Sequence, residues 1–421
     1  MTDLERVVGD AYREEWAFVL AATVRVAGNF DIAEECVQEA FLAALTTWGE
    51  RGIPDNPGAW LTTTARRRAL DQLRRDKTLR TKLPLLIQPD VVDVDPADLT
   101  EDSVVPDDRL RLVFTCCHPA LSHEAQTALT LRLVCGLSTQ QIARAFLVSE
   151  SAMAARMTRG KKKIQVARIP FAIPAATDLA ERLDAVLTVI HLFFTAGHTA
   201  GSGDALVDSE VVRRSVDLAR LLHRLLPDEP EVRGLLALLL LTDARRLTRV
   251  DRSGRLVLLA DQDRSRWDRG QIEEGRSLVR QALVAAPPGR FALQAAIAAV
   301  HSEAYSSAET DWVEVVGLYD ALLGIWPSPV VALNRAVALS MVLGPETGLM
   351  EVDRLIGEGQ LSGYAYLPAA RADLLRQLKR NDEAGEAYRQ ALLLVDNEVE
   401  REFLRHRLSE VMTTPESAGL D

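Results

Sequence analysis

LSTQQIARAFLVSESAMAARMTRGKKKI, residues 137–164, contains two helix starts in close succession. Ser138 stands three residues before Gln141, the spacing of a capping box, and Ser149 is placed to cap a second helix. Leu147 and Val148 supply an apolar turn between them. In the second helix Met153, Met157, Gly160 and Ile164 recur at intervals of four, three and four, which turns them to one face and leaves Arg156, Arg159, Lys162 and Lys163 on the other. A short helix, a turn and a cation-bearing helix together fit the major groove of DNA. A plain helix hairpin with a solvated basic face has the same grammar, so the rest of the chain has to decide.

At 421 residues, 48% of them apolar, the chain is too long for one core and has enough apolar material for about three domains. A net charge of −11 argues against a polyanionic partner until it is divided by position. Residues 60–82 hold eight Lys/Arg against two acids, net +6, and residues 109–170 hold ten against two, net +8. Between them, residues 83–108 have eight acids and no Lys or Arg, and residues 171–421 are net −10. Two cationic modules joined by an acidic strap precede an acidic body. No leader-like opening run and no apolar stretch of spanning length occurs, so the expectation is a cytoplasmic protein with no membrane contact. The cysteines, Cys36, Cys116, Cys117 and Cys135, form no CxxC pair and should be reduced packing residues. Neither a metal site nor a cofactor is expected, because Cys116, Cys117 and His118 lack a second ligand pair.

Upstream, Trp16, Val19, Leu20, Val24 and Ala27 mark the inner face of a helix that Gly28 and Asn29 end. Asp31 is a candidate cap for the next helix, with Glu34 at the capping-box position and Val37, Phe41, Leu42 and Leu45 along it. Glu34, Glu35, Gln38 and Glu39 then form an outer acidic patch with no matching cation, either solvated or a docking face for a basic partner. Asn56 and Pro57 open a third helix. Trp60, Leu61, Thr64, Ala65, Ala69 and Leu73 form its inner stripe, while Arg66, Arg67, Arg74, Arg75 and Lys77 spread outward. Trp48 and Trp60 beside these cations suit unstacked bases and phosphates.

DIAEECVQEAFLAAL, NPGAWLTTTARRRALDQLRR and LSTQQIARAFLVSESAMAARMTRGKKKI, in that order, resemble three helical segments of the extracytoplasmic-function sigma factors of bacterial RNA polymerase. The resemblance covers residues 1–170. It implies an all-α protein whose region 2, residues 1–82, binds core polymerase and the promoter −10 element, and whose region 4, residues 109–170, reads the −35 element. Core binding would then fall to Asp31, Glu34, Glu35, Gln38 and Glu39. The −10 contacts would fall to Trp60, Arg66, Arg67, Arg74 and Arg75, where family members commonly carry Asn in place of Arg67. The −35 contacts would fall to Ser149, Glu150, Ser151, Ala152, Ala155, Arg156 and Arg159, with residues 161–163, including Lys162 and Lys163, attracting phosphate without reading sequence. The acidic linker, residues 83–108, would thread into the polymerase.

Members of that family commonly stop near residue 170; this chain continues. Residues 171–289 form a helical extension in which GLLALLLLTDARRL, apolar nearly all round, should sit at the centre. Residues 290–412 carry a repeat. Asn334-Arg335-Ala336 matches Ala370-Arg371-Ala372, Gly348 matches Ala384, Val352 matches Tyr388 and Leu355 matches Ala391, all at a shift of 36, and Trp312 and Tyr319 fit one repeat earlier. This is close to the tetratricopeptide period, and such stacks either pack structurally or present a surface to a protein or peptide partner. LLADQDRSRWDRGQIEEG, residues 258–275, resembles the characteristic stretch of sigma factors with such an extension, and its charges suggest a salt-bridged seam. Asp261 and Asp263 with His191 and His198 would be the materials of an enzyme, but no nucleophile or phosphate-cradling glycine loop accompanies them, so no catalysis is expected.

The expectation is therefore an alternative sigma factor that carries core polymerase to promoter DNA, regulated by intramolecular contact of its helical extension with the cationic modules. A helix-turn-helix transcriptional regulator with a ligand-sensing body is the alternative, distinguished by tight DNA binding without polymerase.

Overall fold

A computed structural model describes residues 3–82, 108–146, 148–199, 205–285 and 287–413. Among them the chain is all-α, with a single isolated bridge between Val250 and Leu256 in place of any sheet. It divides into two compact units, residues 1–189 and 190–421.

The first unit opens with α1 (Asp3–Ala27), α2 (Phe30–Arg51) and α3 (Pro57–Lys82). Their shared core takes Trp16, Val19 and Leu20 from α1, Ala33, Val37 and Ala40 from α2, and Leu61, Ala65 and Ala69 from α3, the faces expected from periodicity. The cap of α2 differs from expectation. Asn29, extended at φ −144°, accepts from the amides of Asp31 and Ile32, so Asp31 and Glu34 are not a capping box. The chain reverses at Gly28 one residue earlier, and this makes Asn29 the last non-helical residue. Asn56 caps α3 as its sequence predicts, accepting from the Ala59 amide at 3.0 Å.

The second bundle comprises α4 (Asp108–Cys116), α5 (His123–Leu129), a π turn (Thr130–Val134), α6 (Thr139–Ala145) and α7 (Glu150–Val166). Ser138 and Gln141 exchange reciprocal bonds at 3.2 and 2.8 Å, and Ser149 caps α7 through the Ala152 amide. Met153, Met157, Gly160 and Ile164 are buried. Leu147, residues 83–107 of the acidic strap and the Lys77 side chain lie outside the described residues. Asp108 belongs to α4 and pairs with Arg111 and, at 3.6 Å, with Arg25 of α1.

Next come α8 (Ala176–His198), α9 (Ser209–Leu225), α10 (Pro230–Asp243), α11 (Arg269–Ala285) and α12 (Arg290–Glu303). Within the second unit α10 is the central rod, with Leu235, Leu236, Ala237, Leu239 and Leu240 at most 1% exposed. The paired helices α13 (Trp312–Ile325), α14 (Pro329–Leu343), α15 (Pro345–Gly357), α16 (Tyr366–Gln377), α17 (Asn381–Leu394) and α18 (Glu398–Thr413) follow. Positions matched by the 36-residue shift share one core: Ala336 with Ala372, Val352 with Tyr388 and Leu355 with Ala391 are all buried there. Gly348 is small for a reason, since a β-carbon there would lie 2.5 Å from Ser340.

Within 258–275 the expected ion pairing is found at Glu274, which Arg220 of α9 holds in a two-point contact, at 2.7 Å for one of them; the aspartates are used differently. Asp263 and Asp268 are spent as helix caps, on the amides of Ser265 and Gln271. Arg264 donates to the carbonyls of His301 and Ala304 and lies over the Trp267 ring at 5.1 Å. A buried guanidinium needs acceptors, and backbone carbonyls supply them here without a second buried charge.

Candidate nucleic-acid interface

The outward face of α3 carries Arg67, Arg74 and Arg75 exposed, with Arg66 and Trp60 half-buried beside them. Arg74 lies 3.7 Å from Asp71, a pair too exposed to fix it. Trp60 meets Trp48 edge-on at 5.5 Å between ring centres. Trp48 itself is 3% exposed, so it buttresses Trp60 from the core and offers no surface for a base. The expected aromatic pair thus reduces to one ring over a row of arginines.

On α7, Ser149, Glu150, Ser151, Ala152, Ala155, Arg159, Lys162 and Lys163 are exposed and Arg156 is half-buried. They follow one another along the solvent side of the helix because the opposite stripe is packed on α5, where Gly160 sits against Leu129. Lys161 departs from the expected free basic run. Its ammonium bonds Asp31 at 2.7 Å and also Glu34. Burial pulls Lys161 down, but the Glu34 charge and the hydrogen bonds to Asp31 and Glu34 outweigh it, and it sits above its ordinary value.

The acidic face of α2 is therefore not unpaired. Glu34 is only 6% exposed and receives Arg132 at 2.8 Å as well as Lys161. Glu39 is taken by Arg68 of α3, leaving Glu35 and Gln38 exposed. Aromatic side chains of α1 continue this junction with the second bundle. The Trp16 indole, 1% exposed, donates to the Leu133 carbonyl at 3.1 Å, and the Tyr12 hydroxyl donates to the Gly136 carbonyl at the same distance. Arg109 lies 5.8 Å from the Phe18 ring.

Sequence reasoning missed Arg132 and assigned Lys161 to the phosphate-attracting run, because the acidic partners of both lie about a hundred residues away in the chain. Leu42 and Leu45, which the sequence places only along α2, are 63% and 38% exposed and line a shallow apolar cleft with Tyr12 and Phe41 beside Gln38. A clue was available: Val37, Phe41, Leu42 and Leu45, spaced four, one and three, make the apolar arc of α2 wider than one core contact requires.

The residues of the enzyme reading do not converge. His191 packs on Phe291 and burial holds it down at about 4, while His198 accepts no free role because Arg249 covers it. Cys116 and Cys117 are buried, and burial pushes the Cys117 thiol up to about 11, the opposite of a metal-binding thiolate. Among the described residues no cluster of His, Cys, Asp or Glu is arranged to hold a metal ion, and no helix is long and apolar enough to cross a membrane.

Comparison with known families agrees with this order of surfaces. Residues 11–78 match Sigma-70 region 2, residues 111–164 match Sigma-70 region 4, and residues 182–283 match a family of unknown function (DUF6596). An uncharacterized protein of Rhizobium meliloti is 45% identical over 399 residues, 94% of each chain. A probable ECF RNA polymerase sigma factor, SigI of Mycobacterium tuberculosis, is 28% identical over 174 residues, 40% of this chain and 58% of that protein. With regions 2 and 4 in order, each carrying an exposed cationic helix, and a helical body behind them, the chain belongs to the extracytoplasmic-function sigma factors of bacterial RNA polymerase, in a form with a C-terminal helical extension.

Proposed function

We propose that this alternative sigma factor rests in a closed state in which region 4 occupies the polymerase-docking face of region 2. The observation that carries the reading is the Glu34 carboxylate, buried between Arg132 and Lys161. Asp31, Glu34, Glu35, Gln38 and Glu39 are the residues assigned to core polymerase, and the first two are held by region 4. Leu42 and Leu45 extend the same face with exposed apolar surface that a partner would cover. Opening the junction frees these groups and lets the two modules separate to meet promoter elements. Sigma factors are not enzymes, and the polymerase supplies the chemistry.

In the open state Trp60, Arg66, Arg67, Arg74 and Arg75 receive the −10 strand: the ring stacks and the guanidinium groups hold phosphates. Ser149 to Ala152, Ala155, Arg156 and Arg159 enter the −35 major groove, and Lys162 and Lys163 add salt-sensitive attraction. The extension regulates this cycle, and its repeats receive a protein or peptide partner. Exposed Val337, Met341, Leu343 and Met350 on α14 and α15 favour that role.

Transcription from a promoter library with core polymerase tests the assignment. Arg74→Glu or Arg159→Glu should reduce promoter-dependent transcript at least about tenfold, the effect of roughly 1.4 kcal/mol. Lys161→Ala should tighten core polymerase binding about tenfold by removing a charge-assisted contact of about 1.5–3 kcal/mol from the closed state. Unchanged core affinity in both Lys161→Ala and Arg132→Ala would reject the closed state, while leaving the promoter contacts to stand on the transcript assay.

A further inference from the structure

The second unit contains a half-open cavity of about 290 Å³ between α10, α12, α13 and α14, near the lower end of the size range for small-molecule sites. Its lining mixes aliphatic groups, Leu238, Leu241, Ile297 and Leu322, with polar ones, among them Thr242, Gln294 and Asn334. Arg245 is the one residue of this lining that carries a full charge.

Arg245 is unlike the arginines around it. Arg249 is tied to the His198 carbonyl and Thr199, and Arg264 to the carbonyls of His301 and Ala304. Among the described residues no carboxylate or carbonyl receives the Arg245 guanidinium, and the charges of Arg249 and Arg264 act on it unfavourably. Burial first, and then Arg249 and Arg264, pull it down to about 10, so it remains charged at neutral pH. The groups that share the cavity are neutral. Burial holds the His301 imidazole down at about 4 and pushes the Tyr319 phenol up to about 12, so neither supplies a counter-charge at pH 7. Asn334 and Gln294 add amide donors. The His301 Nδ1 atom is buried with no hydrogen-bond partner.

A partly buried cation with no protein anion, in a cavity that also offers neutral polar groups, suits an acceptor brought from outside. We infer that this cavity binds a small organic monoanion, a carboxylic acid with a short apolar body, its carboxylate on Arg245 and its chain against Leu238, Leu241 and Ile297. The stretch 258–275 helps to build the site. Trp267 lines it, donating through its indole to Thr248, whose hydroxyl is also held by the Arg245 carbonyl. This deepens the regulatory reading of the extension but does not rest on transcription, because occupancy is measured directly.

The test uses the full chain and hexanoate as probe, with hexanamide and sodium chloride at matched ionic strength as controls. Hexanoate should raise the melting temperature by at least about 2 °C where the amide and chloride do not, as expected for a ligand that binds only the folded state. Titration calorimetry should show at least about tenfold weaker binding by Arg245→Met, and the same loss by Ala298→Leu, which fills the cavity and keeps the arginine. If Arg245→Met fails to fold, the second variant decides. No hexanoate-specific shift in the native chain, or equal binding by Ala298→Leu, would overturn the assignment. Either result leaves the promoter and polymerase assays unaffected.

Discussion

Gly136 shows how much one residue decides at the junction of regions 2 and 4. Its φ is +67°, a conformation that costs an L-residue about 1–2 kcal/mol. A β-carbon there would also lie 3.1 Å from the Trp16 ring and 3.3 Å from Tyr12. Gly136→Ala should therefore lower the urea midpoint of the first unit and loosen its contact with α1, whereas Gly28→Ala, also at positive φ but with open space around it, should show only the backbone cost. Equal effects from the two substitutions would mean that contact with Trp16 contributes nothing. Glu34 makes a similar point about charge. Its neighbour Glu39 forms an exposed pair worth about 0–1 kcal/mol, while Glu34, buried between two cations, is costly to strand if both leave.

Among the helices, close approach separates necessary glycines from incidental ones. On α10 a β-carbon at Gly234 would stand 2.5 Å from the Ala292 amide nitrogen of α12, backbone against backbone. Gly234→Ala should destabilise the second unit by about 1–3 kcal/mol, since neither rod can give way without moving the core. Gly317, exposed in α13 with nothing within 4 Å, should do the reverse. Gly317→Ala is expected to stabilise by about 0.5–1 kcal/mol through helix propensity alone. Thermal unfolding of the pair checks both signs. The start of α12 adds a related economy: Glu231 of α10 accepts from the amides of Phe291 and Ala292. A carboxylate from a neighbouring helix thus caps α12, which has no side-chain cap at Gly289.

At the scale of the molecule, three histidines of the second unit couple its stability to pH. Burial comes first in each case, with nearby arginines adding to it, and it holds His191 and His301 at about 4 and His198 at about 2. Between pH 6.5 and 4 the unfolded chain binds protons that the folded chain refuses, so stability is full above about 6.5 and falls as the solution is acidified. Calorimetry should show a melting temperature lower by about 5 °C or more at pH 5 than at pH 7. Replacing His301 with Gln should blunt that dependence; an unaltered pH profile would rule out its contribution. The sequence by itself determined the helices, their capping residues Asn56, Ser138 and Ser149, the inner stripes and the two cationic faces, because these depend on neighbours three or four positions away. Only the tertiary structure decided that Lys161 leaves the basic run for Glu34, 127 residues away, that Trp48 supports Trp60 from within, and that Arg245 lines a cavity without an anion. Those outcomes depend on which faces pack together, and the energy of a buried charge is set by whatever the fold places beside it, which no local spacing records.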